Sequence, residues 1–339
     1  MNKPGREAEY YECLSSGVVA CHLCPQECRI PEGGVGRCRG RHNYEGRLWA
    51  ETYGRVCALQ IDPVEKKPLF HFYPGACCLS LATTGCNFSC LNCQNWSISQ
   101  AAPDEIESRF LLPKDMVSLA ESYACRLVAY TYTEPLTYWE YTRDCARVCR
   151  EAGLKNILVT AGYINERPLA DLLPFIDAAN VDLKSFSDEI YHRISQGHLN
   201  PVLRTLRQML EAGVWLEVTN LVIPGVNDDM EMIRSMCLWL SEHGFAGQPL
   251  HFSRFFPQYR MQNRLPTPVE TLLQAREIAW DCGMEYVYIG NVALHESEDT
   301  VCPDCGVSLI RRKGYQVEAV DFNGYCPSCG RRIPGFWNK

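Results

Sequence analysis

The chain has 339 residues, of which 46% are hydrophobic and 22% charged, and this composition excludes a disordered protein. Its formal charge of -7 argues against a nucleic-acid partner, because such a partner needs a basic face. Residues 1–20 lack the apolar run of a secretion signal, and no window of about 18 residues is apolar enough to span a membrane. We therefore expect a cytoplasmic protein.

Between residues 78 and 291, strand-like runs alternate with amphipathic helical segments. The strands are predicted at 78–85, 127–134, 156–163, 180–186, 215–225, 250–255 and 286–291. The helices are predicted at 114–125, 136–152, 166–177, 201–212, 228–243 and 268–282. This alternation predicts an α/β fold with a parallel sheet and crossover helices, as a full or partial βα barrel of the TIM type. An open doubly wound sheet is the alternative.

Polar side chains end almost every predicted strand, and this favours the barrel. The active sites of such barrels form where the carboxyl ends of the strands converge. The side chains at these ends include Glu134, Asp182, Lys184, His251 and Asn291. We expect these residues to surround one mouth.

The twenty cysteines are the most unusual feature of the composition. In a long chain without a secretion signal, cysteines favour metal binding or catalysis over disulfides. Eleven of them form three groups, within 21–38, 86–93 and 302–329. The other nine are scattered, and we interpret them as small buried apolar side chains.

The central group lies in the first predicted βα loop and consists of Cys86, Cys90 and Cys93, with the spacing Cys-x3-Cys-x2-Cys. Soft thiolates at short, unequal spacing suit an iron–sulfur cluster. Three protein ligands on a four-iron cluster leave one iron open to a chelating ligand such as a methionine amino-carboxylate. A zinc site completed by another residue is the alternative.

A series of segments, in order along the chain, resembles one protein family. The segments are IDPVEKKPLFHFYPG (61–75), GCNFSCLNCQNWSISQ (85–100), AYTYTEP (129–135), NVDLKSF (180–186), TNLVIPGVND (219–228), HFSRFFPQYRM (251–261) and YVYIGNV (286–292). From about residue 21 to 335 the chain resembles the AmmeMemoRadiSam system radical SAM enzyme. That family is similar to pyruvate formate-lyase activating enzymes.

The resemblance implies that Cys86, Cys90 and Cys93 hold a [4Fe–4S] cluster that cleaves S-adenosylmethionine to methionine and a 5′-deoxyadenosyl radical. The radical then abstracts hydrogen from a substrate that the sequence does not identify. An electron donor of the flavodoxin or ferredoxin type is implied, with Memo-like and AMMECR-domain proteins as system partners. Installation of a glycyl radical on a partner protein is one alternative. An iron–sulfur electron carrier or redox sensor is the non-enzymatic alternative.

The resemblance also places S-adenosylmethionine against the strand ends. Glu134 lies in Thr-Glu-Pro, where related enzymes have Gly-Gly-Glu, and is expected to accept a hydrogen bond from the methionine ammonium. Capping of the next helix is its alternative role. Asp182 and Lys184 resemble a cofactor-site segment of the activating enzymes, with a structural ion pair as the alternative. His251 and Asn291 are candidate contacts for the adenine or the methionine carboxylate, or else a structural histidine and a turn asparagine.

The C-terminal cysteines form two Cys-Pro-x-Cys-Gly knuckles, the spacing of a zinc ribbon. They are Cys302, Cys305, Cys326 and Cys329. A module of about 35 residues has almost no core, so a metal must hold it together. Rubredoxin-like iron is the alternative to zinc.

The N-terminal cysteines predict a further metal site, either zinc or a second [4Fe–4S] cluster. They are Cys21, Cys24, Cys28 and Cys38. The predicted organisation is therefore a Cys-rich metal-binding cap at 1–45, a linking hairpin and loop at 46–77, a radical SAM βα barrel at 78–297 and a zinc ribbon at 298–339. The hairpin is expected within 41–60, centred on Gly46.

Overall fold

The structure is a computed structural model that describes residues 5–292, 294, 297–318 and 322–337. An eight-stranded sheet forms its centre. The strands are β1 (Ala58–Pro63), β2 (Cys77–Ala82), β3 (Leu127–Tyr130), β4 (Lys155–Thr160), β5 (Ala178–Asp182), β6 (Trp215–Val222), β7 (Leu250–Arg254) and β8 (Val287–Gly290). None of the helices in the described residues is long and apolar enough to cross a membrane.

The strands lie side by side in chain order, from β1 at one edge to β8 at the other. The pairs from β2 through β8 are parallel, whereas β1 pairs antiparallel with β2, with Asp62 opposite Cys78. The mainly parallel α/β sheet predicted from the sequence is confirmed. Because β1 and β8 stand at opposite ends of the strand order, the sheet is open and corresponds to the partial form of the predicted barrel.

Seven helices of seven or more residues carry the crossovers between the parallel strands. They are α1 (Pro113–Ser122), α2 (Trp139–Glu151), α3 (Glu166–Leu172), α4 (Asp188–Ser195), α5 (Leu199–Glu211), α6 (Met230–Leu240) and α7 (Val269–Asp281). Helix α6 begins at a side-chain N-cap, because the Asp229 carboxylate accepts a hydrogen bond from the Met232 N–H at 2.8 Å. Helix α3 ends before residue 177 because Pro174 lies in a separate 3₁₀ turn.

The amino ends of the strands are covered by the segment 64–75, which we call the floor. Val64, Leu69 and Phe72 of this segment pack on side chains of β2 through β6. The buried Glu217 carboxylate on β6 fixes the floor, because it accepts hydrogen bonds from the N–H groups of Phe70 and His71, each at 2.8 Å. With the floor in place, the carboxyl ends of the strands remain as the face where a ligand can enter.

His71 in the floor provides a test of the fold by pH. Its Nδ1 lies 2.8 Å from the Pro334 carbonyl oxygen, and its Nε2 lies 2.6 Å from the Tyr288 hydroxyl. Burial lowers the pKa of His71 from 6.5 to about 4, against the opposing charge of Glu217. A depressed histidine pKa stabilises the fold above pH 6.5, and this contribution is lost as the pH falls towards 4, because the unfolded chain then binds the extra proton.

As the pH falls from 6.5 to 4, the free energy of unfolding should decrease. We expect the protonation of His71 to contribute about 3 kcal/mol to this decrease. Denaturant titrations of the His71→Gln variant, which cannot take up this proton, should show a correspondingly smaller loss over that pH range. If the wild type and the variant lose equal stability, His71 is not held neutral in the fold.

The described N-terminal residues form two small antiparallel sheets, and we use the name cap for this segment. One sheet contains Tyr11–Cys13, Val19–Cys21 and Arg29–Ile30, and the other contains Arg6–Glu7, Arg41–Tyr44 and Arg47–Ala50. The hairpin predicted around Gly46 is present, because Glu45 and Gly46 both have positive φ, at 52° and 72°. Arg41 joins the cap to α2 through two hydrogen bonds to the Glu140 carboxylate, at 2.6 and 2.8 Å.

The C-terminal module, residues 297–318 and 322–337, lies against the floor. Its paired strands are Thr300–Val301 with Ser308–Ile310, and Arg312–Lys313 with Gln316–Val317. The Arg312 guanidinium donates to the Phe70 carbonyl oxygen at 2.6 Å, and Arg331 pairs with Glu285, just before β8, at 2.7 Å. The module therefore contacts the end of the sheet opposite the carboxyl ends of the strands.

Candidate active site and metal centres

The loop after β2 presents Cys86, Cys90 and Cys93 at the carboxyl ends of the strands, each partly exposed. The loop begins at Gly85, whose φ is 90° and where a Cβ would lie 2.2 Å from the Cys38 carbonyl oxygen. Only glycine satisfies both conditions. The Leu91 N–H donates to the Ile194 carbonyl oxygen at 2.9 Å, which fixes the loop to the end of α4. The backbone therefore holds the three thiols at the predicted mouth.

The surroundings of these thiols fit an iron–sulfur cluster. Burial raises the pKa of the Cys86 thiol well above its usual range and that of Cys90 to about 12, so both are neutral until a metal displaces the proton. The Phe88 N–H donates to the Cys86 sulfur at 3.4 Å, and the Ser99 hydroxyl lies 3.2 Å from the Cys93 sulfur. Hydrogen bonds to ligand sulfurs are a usual feature of cluster sites.

Glu134 lies in the turn after β3, and its buried carboxylate joins two strand ends. It accepts hydrogen bonds from the Thr160 hydroxyl at 2.5 Å and the Ala161 N–H at 2.8 Å, both at the end of β4, and from the Leu136 N–H at 3.1 Å. Burial raises the pKa of Glu134 to about 6, and the hydrogen bonds oppose this shift. The charge of Glu134 in turn helps to raise the pKa of Cys86, the first thiol of the loop.

Asp182 and Lys184 form an ion pair at the end of β5, with the Lys184 ammonium 2.6 Å from the Asp182 carboxylate. Burial disfavours the charged lysine, but Asp182 and Cys90 hold its pKa above the usual range. The positive charge of Lys184 in return opposes the rise that burial causes in the pKa of Cys90. The ion pair that the sequence left as the alternative role is present, and it acts electrostatically on Cys90 of the cysteine loop.

His251 and Asn291 make their contacts elsewhere. The His251 ring donates from Nε2 to the Glu217 carboxylate at 2.7 Å and stacks on Tyr288, so it belongs to the polar layer above the floor. Asn291 follows β8 with a φ of 61° and donates to the Arg254 carbonyl oxygen at 3.3 Å. These are the contacts expected of a structural histidine and a turn asparagine, and the ligand roles of both residues stay predictions.

A cluster of polar residues on β1, the floor and the β3 turn was not singled out from the sequence. The Lys67 ammonium lies 2.6 Å from the Asp62 carboxylate and 4.5 Å from the centre of the Tyr132 ring. The Tyr132 hydroxyl also bonds to Asp62. Asn95, just after the cysteine loop, donates to the Tyr132 carbonyl oxygen at 2.7 Å. The cluster therefore connects the cysteine loop to the edge of the sheet.

Exposed apolar side chains lie at the rim of the mouth. The loop 255–267 crosses the cysteine loop, since the Arg260 N–H donates to the Leu91 carbonyl oxygen at 3.0 Å. The Tyr259 ring stacks on Trp96, with 5.1 Å between their centres. Trp96, Phe256 and Leu265 are 44%, 46% and 80% exposed. We call these four side chains the apolar rim.

The C-terminal cysteines form a second candidate metal centre, remote from the mouth. The sulfurs of Cys302 and Cys329 are 3.6 Å apart, and those of Cys305 and Cys326 are 3.5 Å apart. All four sulfurs lie within 4.8 Å of one another, which no other group of cysteine, histidine or carboxylate ligands achieves among the described residues. Tetrahedral zinc–thiolate bonds of about 2.3 Å place sulfurs about 3.8 Å apart, so these residues fit a single metal ion.

The chain is similar in sequence to known proteins. A profile of the Radical SAM superfamily matches residues 80–237. The uncharacterized protein MJ0808 of Methanocaldococcus jannaschii is 45% identical over 331 residues, which cover 97% of this chain and 98% of that one. The pyruvate formate-lyase 1-activating enzyme of Escherichia coli K12 is 26% identical over 152 residues, 43% of this chain and 61% of that enzyme.

The fold also matches solved structures. The crystal structure of Streptococcus suis SuiB bound to S-adenosylmethionine superimposes with a TM-score of 0.50 over 67% of this chain and 53% of that chain, at 13% identity. At that identity the match supports the fold alone. Radical SAM enzymes use a [4Fe–4S] cluster to cleave S-adenosylmethionine reductively to a 5′-deoxyadenosyl radical, so the predicted enzyme class is confirmed. The chain contains a Radical SAM domain and belongs to the same family as MJ0808.

Proposed function

We propose that Cys86, Cys90 and Cys93 are the cluster ligands and that S-adenosylmethionine binds between this loop and the ends of β3 and β5. The supporting observations are the position of the three thiols in the loop after β2 and the electrostatic effects of Glu134 on Cys86 and of Lys184 on Cys90. The bound cofactors supply the radical chemistry. The chain positions them, with Glu134 accepting from the methionine ammonium and Lys184 donating to an anionic group of the ligand.

We infer that the radical acts on a protein, as in an activating enzyme, after reduction of the cluster by a carrier of the flavodoxin or ferredoxin type. The apolar rim supports this inference, because apolar side chains clustered on a surface commonly mark protein contacts. A small-molecule site would instead enclose its apolar side chains within the mouth. The similarity to a pyruvate formate-lyase 1-activating enzyme points in the same direction.

The protein-substrate proposal is tested with the reconstituted enzyme, S-adenosylmethionine, a reductant and cell extract under anaerobic conditions. We expect the macromolecular fraction of the extract to stimulate 5′-deoxyadenosine formation, and protease treatment of that fraction to remove the stimulation. A Leu265→Asp variant should lose the stimulation. Tyr123→Asp is the matched control, since Tyr123 is 56% exposed after α1 at the other end of the sheet. Stimulation by the small-molecule fraction alone would contradict the proposal.

We also propose membership of the AmmeMemoRadiSam system, with Memo-like and AMMECR-domain proteins as partners. The ordered segments quoted above, from 61–75 to 286–292, support this assignment. Purified Memo-like and AMMECR-domain proteins are therefore the first candidates to replace the extract. If neither protein stimulates turnover of the enzyme, and neither consumes the product of the enzyme, the assignment to the AmmeMemoRadiSam system is wrong. The proposed radical chemistry is unaffected by that result.

The role of Glu134 is tested by cofactor affinity. We expect Glu134→Ala to keep its cluster iron but to weaken binding of S-adenosylmethionine by about 1.5–3 kcal/mol, the range for a hydrogen bond to a charged group. Titration calorimetry on the reconstituted enzyme measures this change. Thr160→Val is the control, because it removes a hydrogen bond to the same carboxylate and leaves the carboxylate in place. If Glu134→Ala binds S-adenosylmethionine as tightly as the wild type does, Glu134 serves only to connect the ends of β3 and β4.

A further inference from the structure

We infer that Cys21, Cys24, Cys28 and Cys38 hold a second four-iron cluster, and that this cluster passes electrons to the one at the mouth. The identity of the cap metal rests on the geometry of the cap alone. The electron-transfer role also rests on the proposed assignment of Cys86, Cys90 and Cys93.

The four cap cysteines surround a common cavity. All four line one small cavity inside the cap, together with Arg41 and with Asn87 of the cysteine loop. They come from different local structures, since Cys21 ends a strand and Cys38 follows the Gly36 turn. Four thiols that converge from separate turns on one cavity form a ligand set for a single inorganic centre.

The spacing of these sulfurs distinguishes the cap from the C-terminal module. The C-terminal sulfurs lie at the short separations of a single tetrahedral ion, with pairs at 3.5 and 3.6 Å. The four cap cysteines, although all are among the described residues, do not form such a compact group of ligand atoms. Thiols arranged more widely around a cavity favour a multi-iron cluster, in which each thiolate binds a different iron, over one zinc ion.

Arg41 provides an independent indication of what the cavity binds. The residue is 1% exposed, and its Nη2 is bonded to the Glu140 carboxylate, whereas its Nε–H has no hydrogen-bond partner. A buried unpaired donor is costly unless a ligand accepts from it. The sulfides and thiolates of a four-iron cluster are acceptors, and the cluster with four thiolates is negatively charged in both of its usual oxidation states.

The cap cavity lies directly against the loop of the proposed active-site cluster. The Cys38 carbonyl oxygen contacts Gly85, the residue before Cys86. On the other side, the Gln26 side chain donates to the carbonyl oxygen of Asn87, the residue after Cys86, at 2.9 Å. The two cysteine sets are therefore in contact through the immediate neighbours of Cys86.

The number of ligands defines the role of the second cluster. With four thiolates, each iron has a protein ligand, so no iron is open to S-adenosylmethionine or substrate. Cleavage of S-adenosylmethionine consumes one electron per turnover. A low-potential one-electron carrier reduces the cap cluster from the 2+ to the 1+ state, and the cap cluster returns to 2+ when it passes that electron to the oxidised cluster at the mouth.

The test uses the Cys86→Ala/Cys90→Ala/Cys93→Ala variant, reconstituted anaerobically, in which the cap is intact. We expect about four irons and four sulfides to remain, on the stoichiometry of a single [4Fe–4S] cluster. Reduced flavodoxin should produce the electron paramagnetic resonance signal of a 1+ cluster, and S-adenosylmethionine should leave that signal unchanged. The wild type should contain about eight irons, and Cys57→Ala, at a partly exposed cysteine outside the three groups, should match it.

Three results would overturn the inference. An iron-free variant with an additional zinc ion would make the cap a zinc knuckle. Iron that flavodoxin cannot reduce would remove the electron-transfer role. A signal altered by S-adenosylmethionine would show an open iron in the cap. Formation of 5′-deoxyadenosine by this variant is a separate outcome, because it would refute the assignment of the cluster at the mouth and leave the cap iron as measured.

Discussion

Replacing any one of Cys86, Cys90 and Cys93 by alanine is expected to abolish 5′-deoxyadenosine formation. The reaction needs a cluster that keeps one iron open while the other three are held, and two thiolates cannot do both. The three thiols lie in one loop that backbone hydrogen bonds fix to α4, so no neighbouring cysteine of the same loop can substitute. Each variant should also lose about four irons, measured together with the product under anaerobic conditions.

Cys57→Ala is the matched control for these variants. Cys57 is also partly exposed, and its N–H bonds to the Ala82 carbonyl oxygen at the end of β2, close in the chain to where the cysteine loop begins. This variant should keep both iron and activity, because its thiol belongs to none of the three groups. Product formation that persists in any of the three loop variants would contradict the ligand assignment.

Removing two ligands of the C-terminal module is expected to release one zinc ion and unfold the described residues of that module. The module has strand pairs of only two or three residues and a small core that includes Leu309, Ile310 and Ile333. Zinc binding to such modules contributes about 10–16 kcal/mol, which is comparable to the whole stability of a domain. We expect Cys305→Ser/Cys329→Ser to lose the zinc and become protease-sensitive there, with the cluster iron retained.

Ser328→Ala is the control, because it changes a residue of the same knuckle without removing a metal ligand. This variant should keep the zinc ion. The iron count of the double variant is informative because the module contacts the floor and not the mouth. Metal analysis that finds unchanged zinc in Cys305→Ser/Cys329→Ser would refute the zinc assignment. Iron in place of zinc in the wild type would assign the module to the rubredoxin-like alternative.

The parallel strands and most helices could be predicted from the sequence because their signals are local. Buried β-branched runs mark the strands, and glycines such as Gly153 and Gly213 mark helix ends, where their positive φ is used. The closure of the sheet could not be predicted, since it depends on pairing between β1 and β8. Strand β1 was not predicted as part of the sheet because Gln60 and Ile61 are both exposed, which breaks the alternation of a buried strand.

The position of the cysteine triplet could be predicted because its ligands lie within eight residues. The buried polar pairs could not be predicted, since each joins residues far apart in the chain. Arg41 meets Glu140, and Glu217 meets His251, only because the cap docks on α2 and β6 pairs with β7. His251 was therefore a candidate ligand in the sequence, whereas its partner in the structure is a glutamate that no local pattern marked.

Anaerobic incubation of the reconstituted enzyme with S-adenosylmethionine and a one-electron reductant tests the central claim most directly. We expect 5′-deoxyadenosine and methionine to form in equal amounts, and only when the reductant is present, because each cleavage consumes one electron. Omission of the reductant is the control in the same preparation. If S-adenosylmethionine remains intact in enzyme that carries its full complement of cluster iron and is fully reduced, the chain does not perform radical SAM chemistry.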